Sequence, residues 1–246
     1  MTPERIEIFN TPVDCVDMQQ VLNLVDDSLQ TGHKRLIFAV NPEKVIRCEQ
    51  DNELLDYLKA ADVLIPDGIG LVIASKILRS KTMGRVPGAD LMPKICELSQ
   101  KQKNGIFFFG AREEINKRAA DVIKKLYPGV NIAGRRNGYV KPAEMNLLVE
   151  EINNSGAEIL FVALGSPTQE KWISEHIDQL TNIKIIQGVG GTFDAITGNV
   201  KRAPKVFRDM NLEWFYRLIS QPSRIVRQTA LPKFVFKVFR EKVFGK

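Results

Sequence analysis

The sequence predicts an α/β fold in which a mostly parallel β-sheet is flanked by helices. Six short apolar runs are rich in β-branched and aromatic residues, as buried parallel strands are. These runs lie at residues 35–40, 62–65, 105–109, 130–132, 159–164 and 183–186. Helical patterns alternate with them at residues 17–29, 42–60, 89–101, 113–126, 142–154 and 169–180. This alternation indicates a doubly wound, Rossmann-like sheet, which binds ligands beyond the carboxyl ends of its strands.

After Ala195 the pattern changes to helical stretches broken by three prolines. We therefore predict an α/β domain at residues 1–197 and a basic, helical C-terminal appendage at residues 198–246. The appendage contains 12 Lys and Arg against 3 Asp and Glu, a net charge of +9, whereas the whole chain carries +6. The body is therefore mildly acidic. A basic tail of this kind suits phosphates, an anionic membrane or nucleic acid.

The last stretch, residues 233–244, predicts an amphipathic helix. At about 100° per residue, Lys233, Lys237, Arg240 and Glu241 share one arc of the helix. Phe and Val residues fill most of the remaining circumference. Basic residues beside exposed aromatic residues are typical of helices that lie at a membrane interface.

Composition argues against several protein classes. No apolar run approaches the roughly 20 residues of a membrane-spanning helix, so any membrane contact is expected to be peripheral. Cys15, Cys48 and Cys96 are far apart in the chain, which argues against a disulfide framework and a zinc site. We find no N-terminal signal sequence, so the chain is expected to stay in the reducing cytosol.

Two polar residues follow predicted strands in the first third of the chain. Asp67 comes directly after a strand in the segment IPDGIG, where its carboxylate can act as a general base on an acceptor hydroxyl. The alternative is that Asp67 only caps the next helix. Asn41 also follows a strand and can bind a sugar or orient Asp67. Alternatively, Asn41 only caps a helix that begins at Pro42.

Three further turns follow strands later in the chain. In FGARE (109–113) a helix N-terminus can hold a diphosphate, although the dinucleotide fingerprint GxGxxG is absent. In GSPTQEKW (165–172) Gln169 can contact a ligand at the sheet edge. In GVGGTFD (188–194) closely spaced glycines let backbone amides approach a phosphate, and Asp194 can bind a ribose or a base edge. The alternative for this segment is a simple glycine-rich turn.

The appendage carries three arginines, Arg217, Arg224 and Arg227, whose fork-shaped guanidinium groups suit a diphosphate. The alternative is a solvated basic face. The Asp-x-Asp motif that holds a metal ion and a diphosphate in many sugar transferases does not occur, and His33 and His176 form no metal pair. Charge on a leaving diphosphate is therefore expected to be stabilised by Arg, Lys or helix dipoles.

Taken in order, these segments resemble the WecG/TagA/CpsF family of glycosyltransferases over nearly the whole chain. The matching segments are residues 40–43, 65–68, 84–90, 165–172, 188–194, and 201–204 running into 211–214. The resemblance implies an inverting hexosyltransferase that needs neither a metal nor another cofactor. It would move N-acetylmannosamine or its uronic acid from UDP to N-acetylglucosamine on undecaprenyl diphosphate. It would work as a peripheral protein on the cytoplasmic face of the cell membrane, in wall teichoic acid, enterobacterial common antigen or exopolysaccharide synthesis.

The resemblance also implies roles for individual residues. The proposed catalytic base matches Asp67, and other pocket positions match Asn41, Arg85 and Gln169. The nucleotide-binding part matches Tyr139, Gly190, Gly191 and Asp194. The residues that complete the site over the lipid diphosphate match Arg217, Arg224 and Arg227. One departure is Ala39, where many members have Thr, so a hydroxyl contact to the substrate is not carried over at this position.

Three alternatives stay open at the level of sequence. An NAD-dependent oxidoreductase uses the same type of sheet, but the missing GxGxxG speaks against it. A nucleic-acid-binding module would explain the basic appendage, but no recognition motif supports it, and no nucleic acid is expected as a partner. A transferase with another UDP-sugar or a soluble glycan acceptor is the third. The choice between neutral and uronic acid donor, and self-association of the chain, are also left open.

Overall fold

The computed structural model describes residues 3–200, 203–204, 206–207, 210, 216 and 230–244. The strands are β1 (Arg5–Ile8), β2 (Thr11–Asp14), β3 (Arg35–Val40), β4 (Val63–Pro66), β5 (Gly105–Gly110), β6 (Asn131–Arg136), β7 (Ala157–Ala163) and β8 (Ile185–Gly188). Strands β3 to β8 form one parallel sheet in the order β4-β3-β8-β7-β5-β6, and β1 and β2 form an antiparallel hairpin. The predicted α/β class with a mostly parallel sheet is confirmed.

Ten α-helices are described over their whole length. They are α1 (Met18–Thr31), α2 (Pro42–Cys48), α3 (Asn52–Lys59), α4 (Ile69–Arg79), α5 (Gly88–Gln102), α6 (Glu113–Leu126), α7 (Met145–Asn154), α8 (Thr168–His176), α9 (Thr192–Ile196) and α10 (Ala230–Phe244). Short 3-10 helices precede α7 (Pro142–Glu144) and follow α8 (Ile177–Gln179). In the described ranges, no helix has the length and apolar character needed to cross a membrane.

The observed elements differ from the predicted ones in a few places. The predicted helix 42–60 is two helices, α2 and α3, because the Asp51 side chain caps α3 by accepting from the Leu54 N–H at 3.0 Å. The hairpin was not predicted, since each of its strands has only four residues and shows no clear alternation. Helix α4 was also not predicted, because it starts inside the glycine-containing segment IPDGIG.

Two hydrophobic layers cover the sheet. Alternate strand residues point to opposite faces, so Phe38 and Val40 belong to one core and Ile37 to the other. Helices α2, α3, α4, α7, α8 and α10 contribute to the first core, and α1, α5, α6 and α9 contribute to the second. The chain leaves β3 and β7 toward the first layer but leaves β8, between them, toward the second. The central strand ends therefore open a crevice of the kind that binds ligands.

Helix α10 packs on the outside of α2 and α4. Its Phe234 side chain is buried and makes an edge-to-face contact with Phe9, with ring centroids 5.7 Å apart. Phe234 also lies against Gly70, near the start of α4. The C-terminal helix is therefore docked on the α/β body by an apolar contact.

Part of the charged arc predicted for α10 faces the α/β body. Lys237 forms an ion pair with Glu49, and Glu241 forms one with Arg79 at 2.8 Å. The aromatic side of the helix faces away, and Phe236 is 65% exposed. The predicted boundary at residue 198 stays a prediction, because most of the appendage lies outside the described residues.

Replacing Phe234 with Ala is expected to lower the free energy of unfolding by about 3–5 kcal/mol, the typical cost of removing a buried phenyl ring. Chemical denaturation measures the change. Phe236→Ala on the opposite side of the same helix is the matched control, and it should change stability by less than about 0.5 kcal/mol. Equal effects of the two substitutions would contradict the docking of α10 by Phe234.

Candidate functional site

Asn41 and Asp67 stand side by side where β3 and β4 end. Val40 and Pro66 are partners in the parallel ladder, and the Asp67 N–H donates to the Val40 carbonyl at 2.7 Å. Neighbouring strands are about 4.8 Å apart, so the loops that begin at Asn41 and Asp67 are adjacent. Two residues predicted for the site therefore meet at one corner of the sheet edge.

The two residues differ in their local roles. Asn41 is the N-cap of α2, and its Oδ1 accepts from the Lys44 N–H at 2.8 Å, with Pro42 in the first turn. The cap uses only the oxygen of the carboxamide, which also has two N–H donors. Gly68 is the N-cap of α4, so Asp67 lies before that cap position. The predicted helix start at Asn41 is confirmed, and its predicted contact with a sugar stays a prediction.

Gly68 and Gly70 in the segment IPDGIG allow the start of α4 to pack closely against the start of α2. Gly68 has a φ of 118°, which L side chains rarely adopt. A Cβ at Gly70 would lie only 2.8 Å from Pro42 Cγ. The segment can thus pack directly on Pro42, which holds Asp67 beside Asn41.

Arg85 lies in a loop that joins the same corner. The Val86 N–H donates to the Pro66 carbonyl at 2.8 Å, which brings Arg85 next to the strand end that carries Asp67. The loop ends where Gly88 begins α5 over the end of β3. Its backbone thus brings a cationic residue to the acidic corner.

Gln169 reaches the glycine-rich loop after β8. Its Oε1 accepts from the Gly190 N–H at 2.9 Å, and Gly190 has a φ of 52°. A Cβ at Gly188 would lie 2.7 Å from Gln169 Nε2, so a side chain at 188 would displace the carboxamide. The predicted pocket residue is therefore in direct contact with the predicted nucleotide-binding loop.

A buried ion pair beside Gln169 was not predicted. Lys44 Nζ lies 2.8 Å from Glu170 Oε1, and the two side chains are 8% and 0% exposed. Lys44 also donates to the Ala39 carbonyl at 2.7 Å, and Gln169 Nε2 donates to Glu170 Oε1 at 3.2 Å. The sequence marks both positions, because Lys44 follows segment 40–43 directly and Glu170 follows Gln169, but it does not indicate that the two side chains meet.

Two buried oxygen atoms without a hydrogen-bond partner among the described residues lie near Gln169, and a third lies in β8. Within the residues that the structure describes, buried side-chain oxygens without a hydrogen-bond partner include Ser166 Oγ, Glu170 Oε2 and Gln187 Oε1. Ser166 and Glu170 flank Gln169 in sequence, and Gln187 directly precedes Gly188. Native proteins leave few such atoms. Gln187 points to the second hydrophobic layer, because it is paired with Ile37. The oxygens of Ser166 and Glu170 favour the end of β7, beside Gln169, as the place where a polar ligand binds.

Tyr139 lies at the far end of the sheet edge. The Gly138 N–H donates to the Ala111 carbonyl at 2.8 Å, so the turn after β6 folds toward the end of β5. Tyr139 itself is 76% exposed. The ends of β6 and β4 are five strand spacings apart, roughly 24 Å. The structure therefore does not bring Tyr139 together with Asp67, and its predicted contact with the nucleotide stays a prediction.

Asp194 lies in α9, directly after the glycine-rich loop, and Gly191 is the N-cap of that helix. The Asn199 side chain donates to Asp194 Oδ1 at 2.6 Å, so one carboxylate oxygen is used locally. The predicted contact of Asp194 with a ribose or base stays a prediction. Three further predicted residues, Arg217, Arg224 and Arg227, lie outside the described residues.

The described residues offer little for thiol chemistry. Burial raises the pKa of Cys48 to about 11, and burial also raises the pKa of Cys96. Both thiols are therefore protonated at neutral pH and unreactive as nucleophiles. In the described part of the chain, no three His, Cys, Asp or Glu side chains gather as metal ligands would. Independence from metal stays a prediction.

Comparison with known proteins agrees with the motifs that meet at this edge. The profile of the "Glycosyl transferase WecG/TagA/CpsF family" matches residues 6–246. A Bacillus subtilis protein named N-acetylglucosaminyldiphosphoundecaprenol N-acetyl-beta-D-mannosaminyltransferase is 36% identical over 207 residues, which cover 84% of this chain and 80% of the relative. A protein of the same name from Bacillus spizizenii is 35% identical over 222 residues, which cover 90% and 85%. The chain belongs to the WecG/TagA/CpsF family of glycosyltransferases.

Proposed function

We propose that this glycosyltransferase moves N-acetylmannosamine, or its uronic acid, from UDP to N-acetylglucosamine on undecaprenyl diphosphate. The names of both relatives specify that acceptor and an N-acetylmannosaminyl group. The observation that carries the proposal is the meeting of Asp67, Asn41 and the Arg85 loop at one corner. Two strands away, the glycine-rich loop offers a place for the nucleotide.

In the proposed mechanism, Asp67 accepts the proton of the acceptor sugar hydroxyl as that oxygen attacks the anomeric carbon of the donor. The new bond to oxygen forms as the bond from the anomeric carbon to the diphosphate oxygen breaks on the opposite face. UDP leaves with that electron pair, and the configuration at the carbon is inverted. A positioned general base of this kind contributes about 10² to 10⁴ in rate.

The leaving diphosphate needs positive charge nearby. Arg85 supplies a guanidinium group at the corner, and such groups bind phosphate oxygens in pairs. Arg217, Arg224 and Arg227 are proposed to close over the diphosphate from the appendage, as the resemblance implies. The mechanism uses no metal and no other cofactor, and the UDP-sugar is a substrate. Positive charge placed where negative charge develops lowers the barrier to bond cleavage.

The nucleotide is proposed to bind under residues 188–194. Gly190 leaves the backbone open to close approach, whereas the absence of a side chain at Gly188 makes room for Gln169, which accepts from the Gly190 N–H. The unsatisfied oxygen of Ser166 lies after β7, in the turn that precedes Gln169, and can accept from hydroxyl or N–H groups of a ligand. A ribose and a uracil ring both carry such donors.

The outer side of α10 supports contact with an anionic membrane. Its exposed apolar residues are Val235, Phe236, Phe239, Val243 and Phe244. Three exposed basic residues of the same helix lie close to these apolar ones in the sequence, namely Lys233, Arg240 and Lys242. A groove of about 690 Å³ runs between this side and the hairpin turn at Phe9 and Asn10. Aromatic residues beside basic ones fit the boundary between acyl chains and anionic headgroups.

The position of this helix links the membrane to the catalytic corner. Leu231 and Phe234, in the first turns of α10, lie against Gly70, three residues after Asp67. We infer that the protein rests on the cytoplasmic face of the membrane by α10. An acceptor diphosphate at headgroup level would then lie beside the corner that carries Asp67.

The proposal is tested by UDP release from UDP-N-acetylmannosamine with a lipid-diphosphate-linked N-acetylglucosamine acceptor and EDTA. We expect release that depends on the acceptor and is unchanged by EDTA. UDP-N-acetylmannosaminuronic acid, assayed in parallel, decides between the two donors. Release with neither donor, or release that EDTA abolishes, would contradict the proposal. Equal release with a lipid-free glycan would replace the lipid acceptor by a soluble one.

A further inference from the structure

The ion pair between Lys44 and Glu170 has no part in the mechanism above, although both side chains are nearly inaccessible to solvent. A buried ion pair contributes little net stability, because the cost of removing two charges from water offsets their attraction. The second oxygen of the carboxylate, Oε2, also lacks a hydrogen-bond partner among the described residues. Stability alone therefore does not account for the pair.

The ion pair connects two helices that follow the strands on either side of β8. Lys44 lies in the first turn of α2, after β3, and Glu170 lies in the first turn of α8, after β7. Strand β8, which carries the glycine-rich loop, runs between β3 and β7. Lys44 Nζ is itself anchored to the Ala39 carbonyl at 2.7 Å. The carboxylate of Glu170 is thus held at a defined point beside Gln169.

This carboxylate and the Gly190 N–H together fix the orientation of the Gln169 carboxamide. A carboxylate only accepts hydrogen bonds, so the NH₂ group of Gln169 must face Glu170 Oε1, which is 3.2 Å away. The carboxamide oxygen then faces the Gly190 N–H, from which it accepts at 2.9 Å. If the carboxamide were reversed, its oxygen would face the Glu170 carboxylate and its NH₂ group would face the Gly190 N–H, so both hydrogen bonds would be lost. Only one orientation satisfies both neighbours.

We propose that Glu170, held by Lys44, is a positioning residue for donor binding. It orients the Gln169 carboxamide, and the carboxamide sets the path of residues 188–190 under the UDP moiety. Glu170 acts through Gln169 and does not touch the substrate. The inference rests on the proposed function, in which this loop binds the nucleotide of the donor.

A double-mutant cycle on the full-length chain tests the proposal, with UDP as the titrant in calorimetry. The four proteins are the wild type, Lys44→Met/Glu170→Leu, Gln169→Leu, and the combination of all three substitutions. Met and Leu keep the volume, so the fold is expected to persist. Removing the pair should weaken UDP binding about tenfold when Gln169 is present, the scale of one lost hydrogen bond near a charge. It should weaken binding less than about twofold in the Gln169→Leu background, because coupled residues are not additive.

Kinetics provide a second readout. Removing the pair should raise KM for the UDP-sugar about tenfold and leave kcat within about threefold, since only donor binding is impaired. If the double variant does not fold, isosteric Glu170→Gln replaces it. A Gln at 170 can donate or accept, so residue 170 no longer dictates the orientation of the Gln169 carboxamide, which only the Gly190 N–H then favours. About a threefold loss of UDP affinity is then expected, again only when Gln169 is present.

Two outcomes would overturn the inference: an equal loss of UDP affinity in both backgrounds, or no loss when the pair is removed. Either result would leave the proposed function standing, because the wild type would still bind UDP. Failure of the wild type to bind UDP would instead overturn the proposed function together with this inference. UDP binding by the wild type therefore distinguishes failure of this inference from failure of the proposed function.

Discussion

Replacing Asp67 with Asn is expected to lower kcat about 10²- to 10⁴-fold, with KM for the donor little changed. Asn has nearly the size of Asp, and the backbone N–H at 67 keeps its bond to the Val40 carbonyl. The carboxamide cannot take the proton from the acceptor hydroxyl at neutral pH. The loss is measured as UDP release at saturating concentrations of both substrates.

The matched control is Asp62→Asn, at the other end of β4. The Asp62 carboxylate accepts from the Leu36 N–H at 2.7 Å, and an Asn oxygen can keep that bond. This variant should retain kcat within about twofold. Thermal unfolding should show that both variants are folded. Near-normal turnover by Asp67→Asn would show that Asp67 is not the general base.

Replacing Phe236 and Phe239 together with Ser is expected to weaken binding to anionic vesicles about a hundredfold. Both rings are on the outer side of α10, at 65% and 63% exposure. Each ring that leaves the membrane interface costs about 1.5 kcal/mol, so the pair costs about 3 kcal/mol. Co-sedimentation with vesicles of anionic lipid measures the change. Turnover on an acceptor embedded in the same vesicles should fall with binding.

Two comparisons separate membrane binding from damage to the site. UDP affinity should be unchanged in the double Ser variant, because α10 contacts the body through Phe234 and Val238 on its other side. Leu147→Ser provides the matched control, since Leu147 is 63% exposed on α7. Vesicle binding by that variant should equal the wild type. Unchanged vesicle binding by the Phe236 and Phe239 variant would contradict a membrane contact through α10.

The sheet was predictable because most of its strands are buried on both faces and appear as continuous apolar runs, although the edge strand β6 is only partly buried. Residues 105–109 show this well, since every residue of β5 is buried. The hairpin was not predictable, because its strands are short and depend on long-range contacts. Asp14 of β2 accepts from the Leu64 N–H of β4, fifty residues away. Such a contact leaves no periodic pattern in the sequence.

The candidate site was predictable in outline for a similar reason. Parallel strands all end at one edge, so polar residues after strands were expected to meet there, as Asn41 and Asp67 do. The ion pair of Lys44 and Glu170 was not predictable, because its partners are 126 residues apart and each resembles an ordinary helix-surface charge. The helical wheel predicted an amphipathic α10. It could not show which side would dock, since that depends on partners such as Glu49, which follows α2 far away in the sequence.

The central claim is a single displacement at the corner that carries Asp67, and the configuration of the transferred sugar tests it most directly. We would follow the anomeric proton and carbon of the lipid-linked product by NMR from the first turnovers with UDP-α-N-acetylmannosamine. Direct attack by the acceptor oxygen opposite UDP predicts a β linkage, as in inverting enzymes generally. An α linkage would require a second displacement or attack on the same face as UDP, and would contradict the account.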